Sequence, residues 1–199
     1  MKKMVSLLLI SFVLLLTGCT AVRIDTKDID NIVDVVLSKD NKLYNHVGKG
    51  YKYYIPKGVT YIDTNEFNDK LYSEGEYYYL YIDAISYYYK KEAEHSKSQE
   101  SIYYKDISVN GKQGYIDIKK SNDKYLIEFM YNYARIESLV DEEKINNVIL
   151  NSSYILSTVK FNNNVIKIML DEDYFKYREE KFELFEKIEK EENILEYSE

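Results

Sequence analysis

Few side chains of this sequence are equipped for chemistry, and their spacing limits what each can do. The two histidines, His46 and His95, stand far apart: His46 in or beside a strand hairpin, His95 in the polar stretch Glu92 to Glu100. A histidine triad or a zinc site needs partners at defined positions, and neither histidine shows them in its neighbourhood. HExxH, G-x-S-x-G, glycine-rich phosphate loops and EF-hand loops do not occur. Gly48-Lys49-Gly50 reads as a turn. Asp83 lies inside the apolar run "EYYYLYIDAISYYYKK", where a carboxylate must be paired, at an edge or in a pocket. Arg135 or a lysine is the expected partner; the alternative is a catalytic carboxylate with a raised pKa. Asp171-Glu172-Asp173 has the oxygen ligands of a Ca²⁺ site, but a solvated acidic helix start is the plainer reading. The expectation is a chain without a catalytic set, metal or cofactor, and not an enzyme.

Cys19 is the sole cysteine, and it follows the most apolar stretch of the chain. Lys2 and Lys3 precede an apolar run from Val5 to Leu16, and small residues come next. That order is the order of a secretory signal. A transmembrane helix needs roughly 20 apolar residues, and here polar sequence resumes at Thr20, Arg23 and Asp25. With one cysteine no intrachain disulfide can form, so stability must come from a hydrophobic core.

Leu16-Thr17-Gly18-Cys19 resembles the bacterial lipobox. The resemblance implies that the Cys19 thiol receives diacylglycerol and that the bond before it is cut. Two acyl chains, at about 0.8 kcal/mol per buried CH₂, anchor stably where one does not. About 180 residues would remain, enough for one domain. The expected location is the membrane, lipid-anchored, facing outside the cytoplasm. Thr20 to Asp25 is a tether of at most about 20 Å, so the domain sits close to the bilayer.

The chain carries a net charge of −7, which becomes −9 when Lys2 and Lys3 leave with residues 1–18. Without clustered lysine and arginine, nucleic-acid binding is disfavoured. Tyrosine occurs 23 times and tryptophan never. An AT-rich genome accounts for part of that excess. Tyrosine also offers large amphipathic contact area at low entropic cost.

Apolar spacing predicts a helix over Asp25 to Ser38, capped by Asp25 or Thr26, and a second over Asp141 to Leu156, capped by Asp141. Strands are expected over Lys42 to Val47, Tyr51 to Ile55, Val59 to Asp63 and Leu71-Tyr72. Further strands are expected over Ser101 to Val109 and Gln113 to Lys120, joined at Asn110-Gly111, then over Lys124 to Glu137 and Ser157 to Phe161. Glu76 to Lys91, rich in tyrosine and isoleucine, reads as one long central strand. One of its faces would carry Tyr77, Tyr79, Tyr81, Tyr87 and Tyr89, the candidate interaction face. Asp171 to Glu199 holds 12 acidic and 5 basic residues and reads as an acidic helix with one apolar edge.

"GYKYYIPKGV", Gly50 to Val59, is similar to the opening of PsbP-like domains, and "ILSTVKF", Ile155 to Phe161, looks like the end of their last helix and its exit strand. The resemblance implies an antiparallel sheet between helices and a role in binding or scaffolding other proteins. The fold expected is α+β: an antiparallel sheet of about six strands, packed by an N-terminal helix and a helix near 141–156, plus a C-terminal acidic helical segment. The segments expected are a signal peptide (1–18), a lipidated tether (19–25), a globular domain (26–161) and an acidic extension (162–199). The function expected is a protein-interaction or scaffolding module of the cell envelope, with a protein partner and the membrane as its contacts. A small-ligand-binding lipoprotein is the alternative, and an envelope hydrolase the third reading.

Overall fold

The computed structural model describes residues 24–65, 67–91 and 95–171. Cys19, with Leu16, Thr17 and Gly18, and the acidic segment 172–199 lie outside the described residues. The fold is α+β, with an antiparallel sheet against helices. Helix α1 (Ile29–Leu37) comes first, followed by the short strands β1 (His46–Val47) and β2 (Tyr51–Tyr53). A seven-stranded sheet follows, built from β3 (Thr60–Asn65), β4 (Asn68–Ser73), β5 (Glu76–Ile82), β6 (Ser101–Val109), β7 (Lys112–Ser121), β8 (Lys124–Tyr131) and β9 (Ala134–Val140). Helix α2 (Ala84–Tyr89) interrupts it after β5. A 3₁₀ turn (Glu142–Lys144), α3 (Ile145–Thr158), β10 (Lys160–Phe161) and α4 (Asn163–Asp171) complete the described chain.

Strand order in the main sheet is β3-β4-β5-β9-β8-β7-β6, and every pair is antiparallel. The period-two alternation divides its faces. Leu80, Ile82, Ile116, Ile118, Ile127, Phe129 and Ile136 are buried on one face, beneath α1 and α3. Both edge strands carry a bulge, between Tyr61 and Asp63 in β3 and between Ser101 and Tyr103 in β6, which blunts an edge against pairing with another chain. The smaller sheet, β1-β2-β10, sets Lys160 opposite Lys52 and Phe161 opposite Tyr51. Helix α4 buries Ile166 and Met169 in the main core, so the packed body continues past residue 161.

Several expectations need correction. Glu76 to Lys91 is not one strand. It breaks at Asp83, whose side chain accepts the backbone N–H of Ser86 at 2.8 Å and caps α2. A local cap of this kind lets the backbone leave the sheet despite the β preference of the tyrosines. Asp83 is therefore neither a buried strand carboxylate nor the partner of Arg135. Lys124 to Glu137 is not one strand either. Asn132 and Tyr133, at φ +54° and +61°, make the tight turn between β8 and β9. Asparagine tolerates that region, but tyrosine enters it at a cost. The surroundings hold the turn: Asp83 N–H donates to Tyr133 O at 2.9 Å, Asn132 N–H to Gln113 O at 3.0 Å, and the Asn132 side chain to Val159 O at 3.2 Å. The cap of α1 is Asp28, not Asp25 or Thr26, and Asp141 makes no side-chain cap bond ahead of α3.

Among the described residues no helix is long and apolar enough to cross a membrane.

Candidate functional site

On the face of the main sheet away from α1 and α3, polar and aromatic side chains form two cross-strand rows. Direct partners in the first are Asp63, Lys70, Tyr79, Glu137, Glu128, Asp117 and Tyr104, one from each strand. The second runs Asn65, Asn68, Tyr81, Arg135, Met130, Tyr115 and Asp106. Asp117, Glu128 and Glu137 are therefore neighbours in one line, and directly opposed like charges in a sheet repel.

Counter-charges answer that repulsion. Arg135 Nη1 lies 3.3 Å from Glu128 Oε1 and its Nη2 lies 3.1 Å from Glu137 Oε1. Tyr115 donates its hydroxyl to Glu128. Lys119 Nζ and His95 Nε2 each lie 3.3 Å from Asp117 Oδ2. The His95 ring stacks on Tyr115, with centroids 3.7 Å apart and planes 4° from parallel. Burial raises the Glu137 carboxyl pKa above its ordinary value, with Arg135 opposing the shift and Glu128 adding to it. Burial works against the charged Arg135 guanidinium, yet Glu137 and Glu128 outweigh it and hold its pKa above the usual value. Burial also drives the Tyr115 hydroxyl pKa far up, and the Glu128 charge adds to the effect.

At the β3–β4–β5–β9 end the rows open into a cleft of about 240 Å³, lined by Asp63, Asn65, Asn68, Lys70, Tyr79, Tyr81, Arg135, Glu137 and Asp69. Arg135 sits over the Tyr81 ring at 5.7 Å, and the Lys70 ammonium lies 4.3 Å from the Tyr77 ring centre and 5.6 Å from that of Tyr79. Three side-chain atoms of the lining residues are buried without a hydrogen-bond partner: the acceptors Asn68 Oδ1 and Asp69 Oδ1 and the donor Arg135 Nε. Asn68 and Arg135 flank Tyr81 in the second row.

A second carboxylate cluster lies on the core side. Asp69 is 1 % exposed and accepts the hydroxyls of Tyr51 and Tyr53 at 3.0 and 2.8 Å. His46 Nε2 lies 3.6 Å from the same Oδ2, and its ring stacks on Tyr61. Both histidines thus stand beside a buried aspartate, a pairing invisible in the sequence because 23 and 22 positions separate the partners. Among the described residues no group of three or more His, Cys, Asp or Glu is arranged to hold a metal ion.

Tyr77, Tyr79 and Tyr81 project together from β5 on the open face, as the alternation predicts. Tyr87 and Tyr89 do not join them. They belong to α2, where Tyr87 stacks on Phe161 at 3.9 Å. The corrected face adds Lys70, Glu128, Glu137 and Arg135, of which the sequence had marked out only Arg135, as a partner for Asp83. The available signal was charge set into otherwise apolar strands, alternating at Arg135 and Glu137 in "ARIESLV" and single at Glu128 in "YLIEFMY". The chain matches no protein-family model, no curated protein and no solved structure with which it was compared.

Proposed function

We propose that the protein is a lipid-anchored binding module on the outer face of a bacterial membrane, and that it recognises a small polar ligand in the cleft on the sheet face opposite α1 and α3. The anchor rests on the Leu16-Thr17-Gly18-Cys19 motif behind its apolar run. The ligand reading rests on one observation: an unpaired acceptor and an unpaired donor, Asn68 Oδ1 and Arg135 Nε, line one cleft on either side of Tyr81. Each costs about 1–3 kcal/mol as it stands, and a ligand that pairs both recovers that cost. Arg135 bridges Glu128 and Glu137 as a clamp, which favours binding over proton transfer at this place.

A protein partner on the same face is the second reading. It is favoured by Tyr72 and Tyr77, exposed by 37 and 44 % and packed together at 5.2 Å beside the cleft. Tyrosines of this kind are common in protein contacts.

Two measurements test the proposal. Intact mass of the membrane fraction should show diacylglycerol on Cys19, and Cys19→Ala should release the chain from the membrane. A melting-temperature screen of the full chain against small polar compounds should find a stabilising ligand by mass action. A screen without a stabiliser, together with capture of a discrete protein by crosslinkers at Tyr77, would transfer the face to the second reading.

A further inference from the structure

From the chemistry of the cleft we infer that its ligand is a polyhydroxylated ring, a neutral saccharide unit; this rests on the ligand-binding reading above. The unpaired atoms of the lining, the acceptors Asn68 Oδ1 and Asp69 Oδ1 and the donor Arg135 Nε, ask for a group that both donates and accepts. Asn68 Oδ1 needs a donor and Arg135 Nε needs an acceptor. Hydroxyls supply both from one atom type, whereas an ammonium can only donate and a carboxylate can only accept.

Charge points the same way. The Arg135 guanidinium is already engaged by Glu128 and Glu137, and Asp63 and Asp69 stand opposite only Lys70 in the remaining lining. The cleft has no surplus of positive charge to draw an anion. Its polar wall is made of planar side chains, Asn65, Asn68, Asp63 and Glu137, whose forked oxygens and amides suit vicinal hydroxyls. Tyr79 and Tyr81 form the aromatic wall. Sugar rings present an apolar C–H face, and aromatic side chains with a polar tip accept such a face while staying wet at the edge. The volume of about 240 Å³ falls below the roughly 300–1,000 Å³ of drug-sized sites, which fits one ring. Asn68 Oδ1 and Arg135 Nε are both covered, so a ring that pairs them must displace a side chain of the lining.

The test is calorimetric titration of the mature lipidated chain in detergent. Two probe sets are used: neutral saccharides (glucose, N-acetylglucosamine, maltotriose and chitotriose) and the twenty amino acids. The expected result is binding of at least one saccharide, little affected by salt, and weakened about tenfold or more by Asn68→Ala and by Tyr81→Ala. Circular dichroism and unliganded melting of both variants establish that they fold. Tyr89→Ala, on α2, leaves affinity unchanged. Binding of an amino acid but of no saccharide overturns the saccharide assignment while the ligand-binding reading stands. Binding of neither set overturns the saccharide assignment, and a wider screen without any stabiliser removes the ligand-binding reading as well. Saccharide binding that survives both variants places the site elsewhere and overturns the inference.

Discussion

Raising the pH from 8 to 11 should remove most of this protein's stability through its buried tyrosines. Tyr51, Tyr53 and Tyr115 are 3, 0 and 7 % exposed. Burial is the first cause that raises their pKa values far above 10, and the adjoining carboxylates of Asp69 and Glu128 add to it. A group whose folded pKa exceeds its unfolded pKa keeps its contribution below the unfolded value and loses it as pH rises. An unfolded tyrosine titrates near pH 10. At pH 11 its ionisation therefore favours the unfolded chain by about 1.4 kcal/mol, provided the folded residue stays protonated. Three such residues withdraw about 4 kcal/mol, most of the margin of a protein near the lower end of the usual 5–15 kcal/mol. The assay is urea unfolding at pH 8 and pH 11, with tyrosinate absorbance recorded alongside. The absorbance should rise in two parts: a gradual one from exposed tyrosines and a cooperative one that coincides with loss of the fold. Tyr53→Phe with Tyr115→Phe lowers stability at pH 8 but reduces the further loss at pH 11 by about 3 kcal/mol. A gradual titration of all tyrosines near pH 10 with the fold intact would refute the reasoning.

Three further perturbations have defined outcomes. Asp83→Ala removes the cap of α2 and should cost about 1 kcal/mol in urea unfolding, while ligand binding in the cleft stays unchanged because Asp83 does not line it. Gly114→Ala should destabilise by at least about 1–3 kcal/mol, since a Cβ there would fall 2.0 Å from the Met130 carbonyl oxygen of the neighbouring strand; a melting temperature equal to that of the parent chain would contradict the close approach. Lys105→Met should lower stability by about 1 kcal/mol, because the half-buried ammonium ties β6 to α1 through Asp30 at 2.7 Å and Asp34 at 2.8 Å. Lys105 is also the first cause of the lowered Asp30 pKa, a contribution present above the unfolded pKa and lost as pH falls, so the difference between parent and variant should shrink in acid.

The sequence was most legible where local chemistry and tertiary packing agree. The apolar stripe of Ile32, Val33, Val36 and Leu37 declares α1, and all four residues are buried. Asn110-Gly111, with φ +53° and +71°, makes the expected β6–β7 turn. Legibility failed where one residue redirects the chain against its neighbours. Asp83 turns a tyrosine-rich run into a helix by capping it, and Asn132 reverses a strand although tyrosine follows where glycine would be usual. Neither signal stands out in a single sequence, because aspartate and asparagine also occupy ordinary loop and edge positions. The binding face was half legible. Alternation placed Tyr77, Tyr79 and Tyr81 on one side, but the carboxylate row and its Arg135 clamp arise from register between distant strands. No local pattern encodes that register.

The most direct test of the central claim, that the sheet face opposite α1 and α3 is the binding surface of an anchored envelope module, is an amide NMR titration. The mature lipidated chain in micelles is titrated with the low-molecular-weight fraction of a bacterial envelope. The account predicts shifts confined to β4, β5 and β9 around Asn68, Tyr79, Tyr81, Arg135 and Glu137, lost in Tyr81→Ala. A spectrum that does not move, or that moves only at α1, α3 and the small sheet, would contradict it.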